Sequence, residues 1–257
     1  MTRKRFRQAC GIIAALGFLL VLGTAGASDC DLIPMSQILR QGCIGLGMFA
    51  GGLWFEETHQ KLMTIKRSFR LLMNGPGSQS MRDKGLGYKL NWGVPFYELK
   101  KMAEEYGKDY DLAIELWKED IRECKILATL IMPADKMLPE ITDLWMEQVQ
   151  SQEMAEMLAF NLLQHVDYAP VIAYQWIASD KPLYEIAGFQ LLARLFANGK
   201  EPNERGINEF LDQAAAALQG DNMGIKHAAS NAVLRFCDFG EDFEQIARGA
   251  LKGIYEI

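Results

Sequence analysis

Three basic side chains in one short segment have the types and the spacing needed to bind phosphate. Lys66 and Arg70 are one helical turn apart, and Arg67 lies beside them. Lysine and arginine bind nucleic acids by neutralising the phosphates of the backbone. An ordinary solvated helix face has the same composition, so the three residues leave both interpretations open.

The distribution of charge along the chain restricts the binding surface to one segment. The 257 residues carry 27 Lys and Arg against 33 Asp and Glu, a net charge of −6. Residues 58–92 contain seven basic residues and one acidic residue, whereas residues 93–257 contain 15 basic and 28 acidic residues, a net charge of −13. This excludes a uniformly basic nucleic-acid binder but leaves one segment that could contact a polyanion. The content of 49% hydrophobic and 23% charged residues indicates a globular protein with a sizeable core.

Cysteine and histidine are spaced too irregularly to predict a metal site, and no cofactor motif occurs. There is no Cys-x-x-Cys pair and no Cys/His ligand spacing. The residues concerned are Cys10, Cys30, Cys43, Cys124, Cys237, His59, His165 and His227.

The amino-terminal segment resembles an export signal. Arg3, Lys4, Arg5 and Arg7 precede an uncharged stretch, and Ala25-Gly26-Ala27 fits a cleavage site. We expect residues 1–54 to be foreign to a domain formed by residues 55–257. The segment is either a genuine signal followed by a linker or sequence upstream of the true start. The first alternative implies an exported or membrane-anchored protein, and the second a cytoplasmic one.

Helical periodicity continues from residue 55 to the end of the chain. Leu62, Ile65 and Phe69 form one apolar stripe, and Asn74-Gly75-Pro76-Gly77 ends that helix. Trp117, Trp145 and Trp176 are predicted core residues, whereas Trp92 is predicted to lie exposed in a loop. Short loops predict antiparallel neighbours for helices at about 121–132, 136–149, 151–166, 169–179, 182–198, 204–219, 223–237 and 241–255.

An internal repeat predicts how these helices pack. Residues 156–163 and 185–192 share the pattern E-x-x-[AG]-F-[NQ]-L-L, and residues 226–233 match its second half. The small residue allows helices to approach closely, and the amide can bond a neighbouring turn or face a groove. Helix pairs repeated every 30–45 residues or so indicate an all-α fold, an α-solenoid of HEAT-like antiparallel helix pairs with one surface lined by every second helix.

Several short motifs, in order, resemble the DNA alkylation repair family of HEAT-like repeat DNA glycosylases. The resemblance covers about residues 56–250 and leaves out residues 1–54. Its motifs are Ile65-Lys-Arg-Ser-Phe-Arg70, Ser78-Gln-Ser-Met-Arg82, Tyr88-Lys-Leu-Asn91, Gly93-Val-Pro95, Ala113-Ile-Glu-Leu-Trp117, Ala187-Gly-Phe-x-Leu-Leu-Ala-Arg194 and Lys226-x-Ala-Ala-Ser-Asn-Ala.

The resemblance implies a groove that binds duplex DNA carrying an N3- or N7-alkylated purine. Family members grip the lesion with a Trp-x-x-x-Asp pair on one inner helix, an arginine on the next and a tryptophan on a later helix. The carboxylate stabilises the positive charge that develops on the sugar, and an indole makes cation–π contacts. In this chain Gln152 occupies the first tryptophan position, Glu156 the aspartate position, Ile186 the arginine position and Asn231 or its neighbour the later tryptophan position.

These substitutions favour a DNA-binding protein with a degraded lesion site. Glu156 is the candidate catalytic carboxylate, double-stranded DNA is the expected partner, and Lys66, Arg67 and Arg70 are candidate backbone contacts. Whether the chain is still an enzyme stays open. The alternative function is a non-catalytic HEAT scaffold that binds a protein or a structured nucleic acid. The resemblance implies a cytoplasmic folded domain, no metal, no cofactor and no membrane contact by that domain.

Overall fold

The computed structural model describes the backbone of residues 3–29 and 35–256, and the side chains of residues 11–24, 36, 37, 39–54 and 56–256. Within these ranges there are thirteen α-helices, two short 3-10 helices and no β-strand. The predicted all-α class is therefore confirmed. The chain divides into two compact units, Met1–Leu71 and Leu72–Ile257.

The amino-terminal unit is a hairpin of two long helices, α1 (Arg3–Asp29) and α2 (Met35–Leu71). Helix α2 continues without a break through residues 54 and 55. The predicted domain boundary between residues 54 and 55 therefore does not coincide with the end of a helix and stays a prediction. The predicted cleavage motif at residues 25–27 and Cys30 have side chains outside the described residues. Among the helical stretches whose residues are described, none is long and apolar enough to cross a membrane.

The carboxy-terminal unit contains the other eleven helices, which we number in chain order. They are α3 (Gly75–Asp83), α4 (Phe96–Tyr106), α5 (Tyr110–Trp117), α6 (Arg122–Ile131), α7 (Pro139–Glu147), α8 (Gln152–Asn161), α9 (Ala169–Ile177), α10 (Pro182–Ala197), α11 (Glu204–Gln219), α12 (Met223–Cys237) and α13 (Glu241–Ala250).

These helices form two layers, as the repeat predicts. Helices α6, α8, α10 and α12 pack successively against one another and make the inner layer. Helix α5 packs on α6, α9 on α10, and α11 on α12. In the outer layer the ring planes of Trp117 and Trp145 stack with their centroids 4.1 Å apart, which joins α5 to α7. Trp117, Trp145 and Trp176 are all buried, which confirms their assignment to the core.

A glycine in the repeat permits the closest helix contact. A Cβ atom on Gly188 of α10 would lie 2.7 Å from the Ile177 backbone nitrogen of α9 and 3.0 Å from the Ala173 carbonyl oxygen. No side chain fits in that space, so only glycine allows the two backbones this approach. The predicted role of the small residue is therefore confirmed at this pair.

Two predicted helices are interrupted, each for a local reason. Pro139 begins α7 and holds Leu138 in an extended conformation, so residues 134–136 form a separate 3-10 turn. Helix α8 ends at Asn161 rather than near residue 166, and a 3-10 turn follows. There the Gln164 amide donates to the Phe160 carbonyl, which gives an acceptor near the helix end a partner.

Candidate nucleic-acid interface

The first turn of α8 positions the predicted carboxylate. Ser151 caps the helix, since its Oγ accepts a hydrogen bond of 3.3 Å from the Met154 backbone nitrogen. Tyr88 holds the cap from another segment, with its hydroxyl 3.3 Å from the same Oγ. Because α8 begins at Gln152, the side chains of Gln152 and Glu156 lie one turn apart on the same face.

A continuous row of hydrogen bonds crosses the inner layer from α8 to α12. Glu156 Oε1 accepts from Gln152 Nε2 at 2.9 Å and from Gln190 Nε2 on α10 at 3.5 Å. Asn231 Nδ2 on α12 donates in turn to Gln190 Oε1 at 3.2 Å. We call Gln152, Glu156, Gln190 and Asn231 the amide row.

The amide row follows from the internal repeat. Asn161, Gln190 and Asn231 occupy the same repeat position, and each donates to a side chain on the preceding inner helix. For Asn161 the acceptor is Thr129 Oγ1 of α6, at 2.9 Å. A side-chain amide can donate and accept at once, so one residue type joins successive helices. The repeat in the sequence therefore marked Gln190 as a position that bonds a neighbouring helix. The spacing of the repeat did not indicate that Glu156 would be the acceptor.

Ile186 lies beside the amide row but is buried. Its side chain is 3% exposed. A Cβ atom on Gly224 of α12 would lie 3.1 Å from Ile186 Cδ1 and 2.7 Å from Gln152 Oε1, which places all three residues around one point. The structure thus brings together Gln152, Glu156, Ile186 and Asn231, the four residues predicted to occupy the lesion-contacting positions.

A buried ionic network adjoins the row, and the sequence gave no signal for it. Arg122 of α6, 3% exposed, donates from Nε and Nη2 to the two carboxylate oxygens of Glu153, at 2.7 and 2.5 Å. Its Nη1 lies 3.4 Å from Glu123 Oε1, which also accepts from the backbone nitrogens of Trp92 and Val94 at 3.1 and 3.2 Å. Burial by itself lowers the pKa of Arg122, but the bonds and charges of both carboxylates outweigh it and raise this pKa.

That network fixes the loop that carries Trp92. Glu123 accepts hydrogen bonds from two backbone N–H groups of the loop, those of Trp92 and Val94. The side chain of Trp92 is only partly exposed. The expected exposed aromatic is therefore half-buried, because the loop packs against α6 rather than projecting into solvent. Arg122 donates to two carboxylates and to the Val94 carbonyl oxygen, so it contributes no cation to a DNA surface.

A cluster of cations lies where inner helices end. Lys108 Nζ donates to the carbonyl oxygens of Leu130 and Met132 at the end of α6, at 2.9 and 3.2 Å. Partial burial, and after it the charges of Lys108, Arg194 and Lys200, lower the pKa of His165. We call these three cations and the imidazole beside them (Lys108, Arg194, Lys200 and His165) the cationic edge.

Comparison with known proteins identifies the family. A family model described as DNA alkylation repair enzyme matches residues 77–238. The chain belongs to the DNA alkylation repair enzyme family. No curated protein matches the chain.

A solved structure confirms the fold of this alkylation repair family member. It is described as belonging to a new family of proteins related to the HEAT-like repeat DNA glycosylases with affinity for branched DNA structures. The match has a TM-score of 0.67 and 19% sequence identity, and it covers 75% of this chain and 83% of that chain. The predicted HEAT-like solenoid is therefore confirmed.

The other predicted contacts lie outside the amide row. Lys66, Arg67 and Arg70 belong to α2 in the amino-terminal unit, where Arg67 and Arg70 are exposed and Lys66 is half-buried. In the part of the chain whose side chains are described, no group of three His, Cys, Asp or Glu residues could hold a metal ion. The functional assignments of Glu156 and its neighbours within the family stay predictions.

Proposed function

We propose that this alkylation repair family member binds double-stranded DNA, including branched DNA, and excises alkylated bases slowly or not at all. One observation carries the proposal: the only carboxylate among the four lesion-contacting positions is Glu156, and Glu156 is bonded to two amides of its own protein.

The amide row is poorly suited to cleave a glycosidic bond. The transition state resembles an oxocarbenium ion, so catalysis needs a carboxylate aimed at the sugar and a surface that grips the cationic base. Glu156 Oε1 already accepts two N–H bonds, and the neighbouring groups are amides and a buried isoleucine. Amides make weaker contacts to a cationic base than an indole face or an ion pair.

The exposed ends of the row are better suited to hold a nucleic-acid backbone, since Gln152 is exposed and Asn231 is half-buried. Gln190 is buried and positions them, because its amide is occupied by Glu156 and Asn231. Asparagine and glutamine side chains hydrogen-bond phosphate and sugar oxygens and fix the position of DNA without reading its sequence. Cations must supply the affinity. The cationic edge supplies them within the solenoid, and Lys66, Arg67 and Arg70 are the further candidates. Because the related protein has affinity for branched DNA, a DNA junction should be tested as a ligand as well as a linear duplex.

A salt titration with matched variants tests the binding. We expect the full chain to bind a four-way junction, and a duplex of the same arm sequence, with an affinity that falls steeply with salt. Arg194→Ala combined with Lys200→Ala should lower the slope of log affinity against log salt by roughly 1–2. Arg235→Ala combined with Arg248→Ala is the control, because both arginines pair with carboxylates on exposed helix faces.

The second candidate function is a scaffold that binds a protein partner. The net charge of −13 over residues 93–257 favours it, because most of that surface repels DNA. Absence of binding to both DNA forms at low salt would overturn the DNA proposal and leave the scaffold. Binding that does not change with salt would equally contradict the phosphate contacts.

A further inference from the structure

Helices α1 and α2 pack through their smallest residues. A Cβ atom on Gly17 would lie 2.5 Å from the Gly45 carbonyl oxygen, and one on Gly45 would lie 2.8 Å from the Gly17 carbonyl oxygen. The buried positions of α1, which include Ala14, Gly17 and Thr24, recur at helical spacing and form a single stripe. The two backbones therefore touch directly, and no large side chain separates them.

Most of the large apolar side chains at residues 11–24 and 39–54 point away from this contact; Phe18 and Phe49, whose ring centroids lie 5.9 Å apart, are an exception. On α1, Ile12, Leu16 and Leu19 are 52–61% exposed. On α2, Leu39, Ile44 and Leu46 are 50–62% exposed. In this part of the hairpin, small residues make the closest contact and most large apolar residues face outward, which reverses the order that the hydrophobic effect produces in water.

This arrangement is the one that lipid favours. Between helices in a bilayer there is no hydrophobic driving force, so small residues form the contact and large apolar residues face the acyl chains. An apolar surface of this extent on a water-soluble unit marks a binding site for a partner. Because the exposed residues surround α1 on every side except the stripe against α2, a fluid partner fits them better than one protein face.

The charges of the hairpin agree with a lipid partner. Residues 8–28 and 41–55 contain no charged residue, and four basic residues lie at positions 3–7. Basic residues at the end of an apolar helix are attracted to anionic headgroups. We propose that the α1–α2 hairpin binds a lipid bilayer, with its apolar side chains among the acyl chains and its basic end at the headgroups. Such binding does not require either helix to cross the bilayer, and it is independent of the proposed DNA function.

Flotation of the full chain with lipid vesicles tests the proposal. We expect the protein to float with phosphatidylcholine vesicles, and more strongly with vesicles that also contain phosphatidylglycerol. High salt should remove only the difference between the two. Leu16→Lys combined with Leu19→Lys should lower the partition coefficient by roughly a hundredfold or more. Leu144→Lys combined with Met223→Lys is the control, since these residues are as exposed but lie on helices of the other unit.

Three results would overturn the proposal. The first is that the full chain does not float with either vesicle. The second is that Leu16→Lys with Leu19→Lys, and a second pair on α2, Leu39→Lys with Leu46→Lys, float as well as the unaltered protein. The third is sedimentation as an oligomer that these substitutions dissociate while vesicles bind nothing, because a second copy of the chain would then cover the surface.

Discussion

Replacing Arg122 with methionine should destabilise the carboxy-terminal unit more than any exposed charge substitution. Methionine retains the aliphatic volume but leaves Glu123, which is 0% exposed, without its cation. Glu153 is less affected, because 31% of its side chain is exposed and water can solvate it. Removing one partner of a buried ion pair costs about 3–5 kcal/mol. For a unit of this size we therefore expect the melting temperature to fall by about 6–20 °C.

Urea unfolding at neutral pH measures this effect directly. The midpoint should shift while the dependence on denaturant stays constant. Arg248→Met is the matched control, because its pair with Glu244 is exposed and should contribute at most about 0.5 kcal/mol. Adding Glu123→Gln to Arg122→Met should recover part of the loss, because it removes the unpaired buried charge. A loss below about 1 kcal/mol for Arg122→Met would refute the assigned role of the network.

The remaining predictions concern the cationic edge, the helix contact and the amide row. Partial burial and neighbouring cations lower the pKa of His165, so the unfolded chain takes up the proton first. This residue's contribution to stability is therefore present above the unfolded pKa of about 6.5 and is lost as the pH falls from there through the lower folded pKa. Bound phosphate should raise the pKa of His165, so DNA affinity should increase as the pH falls from about 7.5 to about 6. His165→Gln should remove that increase. A variant with the same pH profile as the unaltered protein would contradict a contact between His165 and phosphate. Gly188→Ala should destabilise the protein by about 1–3 kcal/mol in thermal unfolding, because its Cβ would meet the Ile177 backbone. Gly249→Ala, where a Cβ meets nothing within 4 Å, should be neutral or stabilising, and equal losses at both sites would contradict the packing argument. Gln190→Leu should break two of the three hydrogen bonds of the amide row, those with Glu156 and Asn231, and weaken junction binding several-fold in fluorescence anisotropy. An unchanged affinity would show that the row does not contribute to DNA binding.

The solenoid could be predicted because its signals are local and repeated. The apolar spacing within each helix and the recurrence of Glu156-x-x-Ala-Phe-Asn as Glu185-x-x-Gly-Phe-Gln specify the helix pairs directly. The recurring amide was expected either to bond a neighbouring turn or to face a groove, and Gln190 makes bonds to the helices on both sides. The break before Pro139 was missed because it depends on the effect of one proline on the preceding backbone, which hydrophobic periodicity does not record. The end of α8 at Asn161 was missed because the apolar spacing continues through the 3-10 turn that follows.

The site was only partly predictable, because its charges are paired across distant segments. The family resemblance assigned Glu156, Ile186 and Asn231 or its neighbour to the lesion-contacting positions, but it did not predict the hydrogen bond from Gln190 to Glu156. Arg122 resembles an ordinary surface cation in the sequence, yet its partner Glu153 is 31 residues away and the pair becomes apparent only when α6 packs on α8. Such pairs depend on helix packing, which spacing along the chain does not reveal.

Excision and binding measured on one preparation test the central claim most directly. Excision is measured on a duplex with a single N7-methylguanine, and binding on an unmodified four-way junction. Both are measured with the unaltered protein and with Glu156→Gln. We predict salt-dependent junction binding by both proteins, and release of the alkylated base that is slow or no faster than spontaneous loss. Efficient excision that Glu156→Gln lowers by a hundredfold or more would show that Glu156 is catalytic despite its two amide bonds, and would contradict the account.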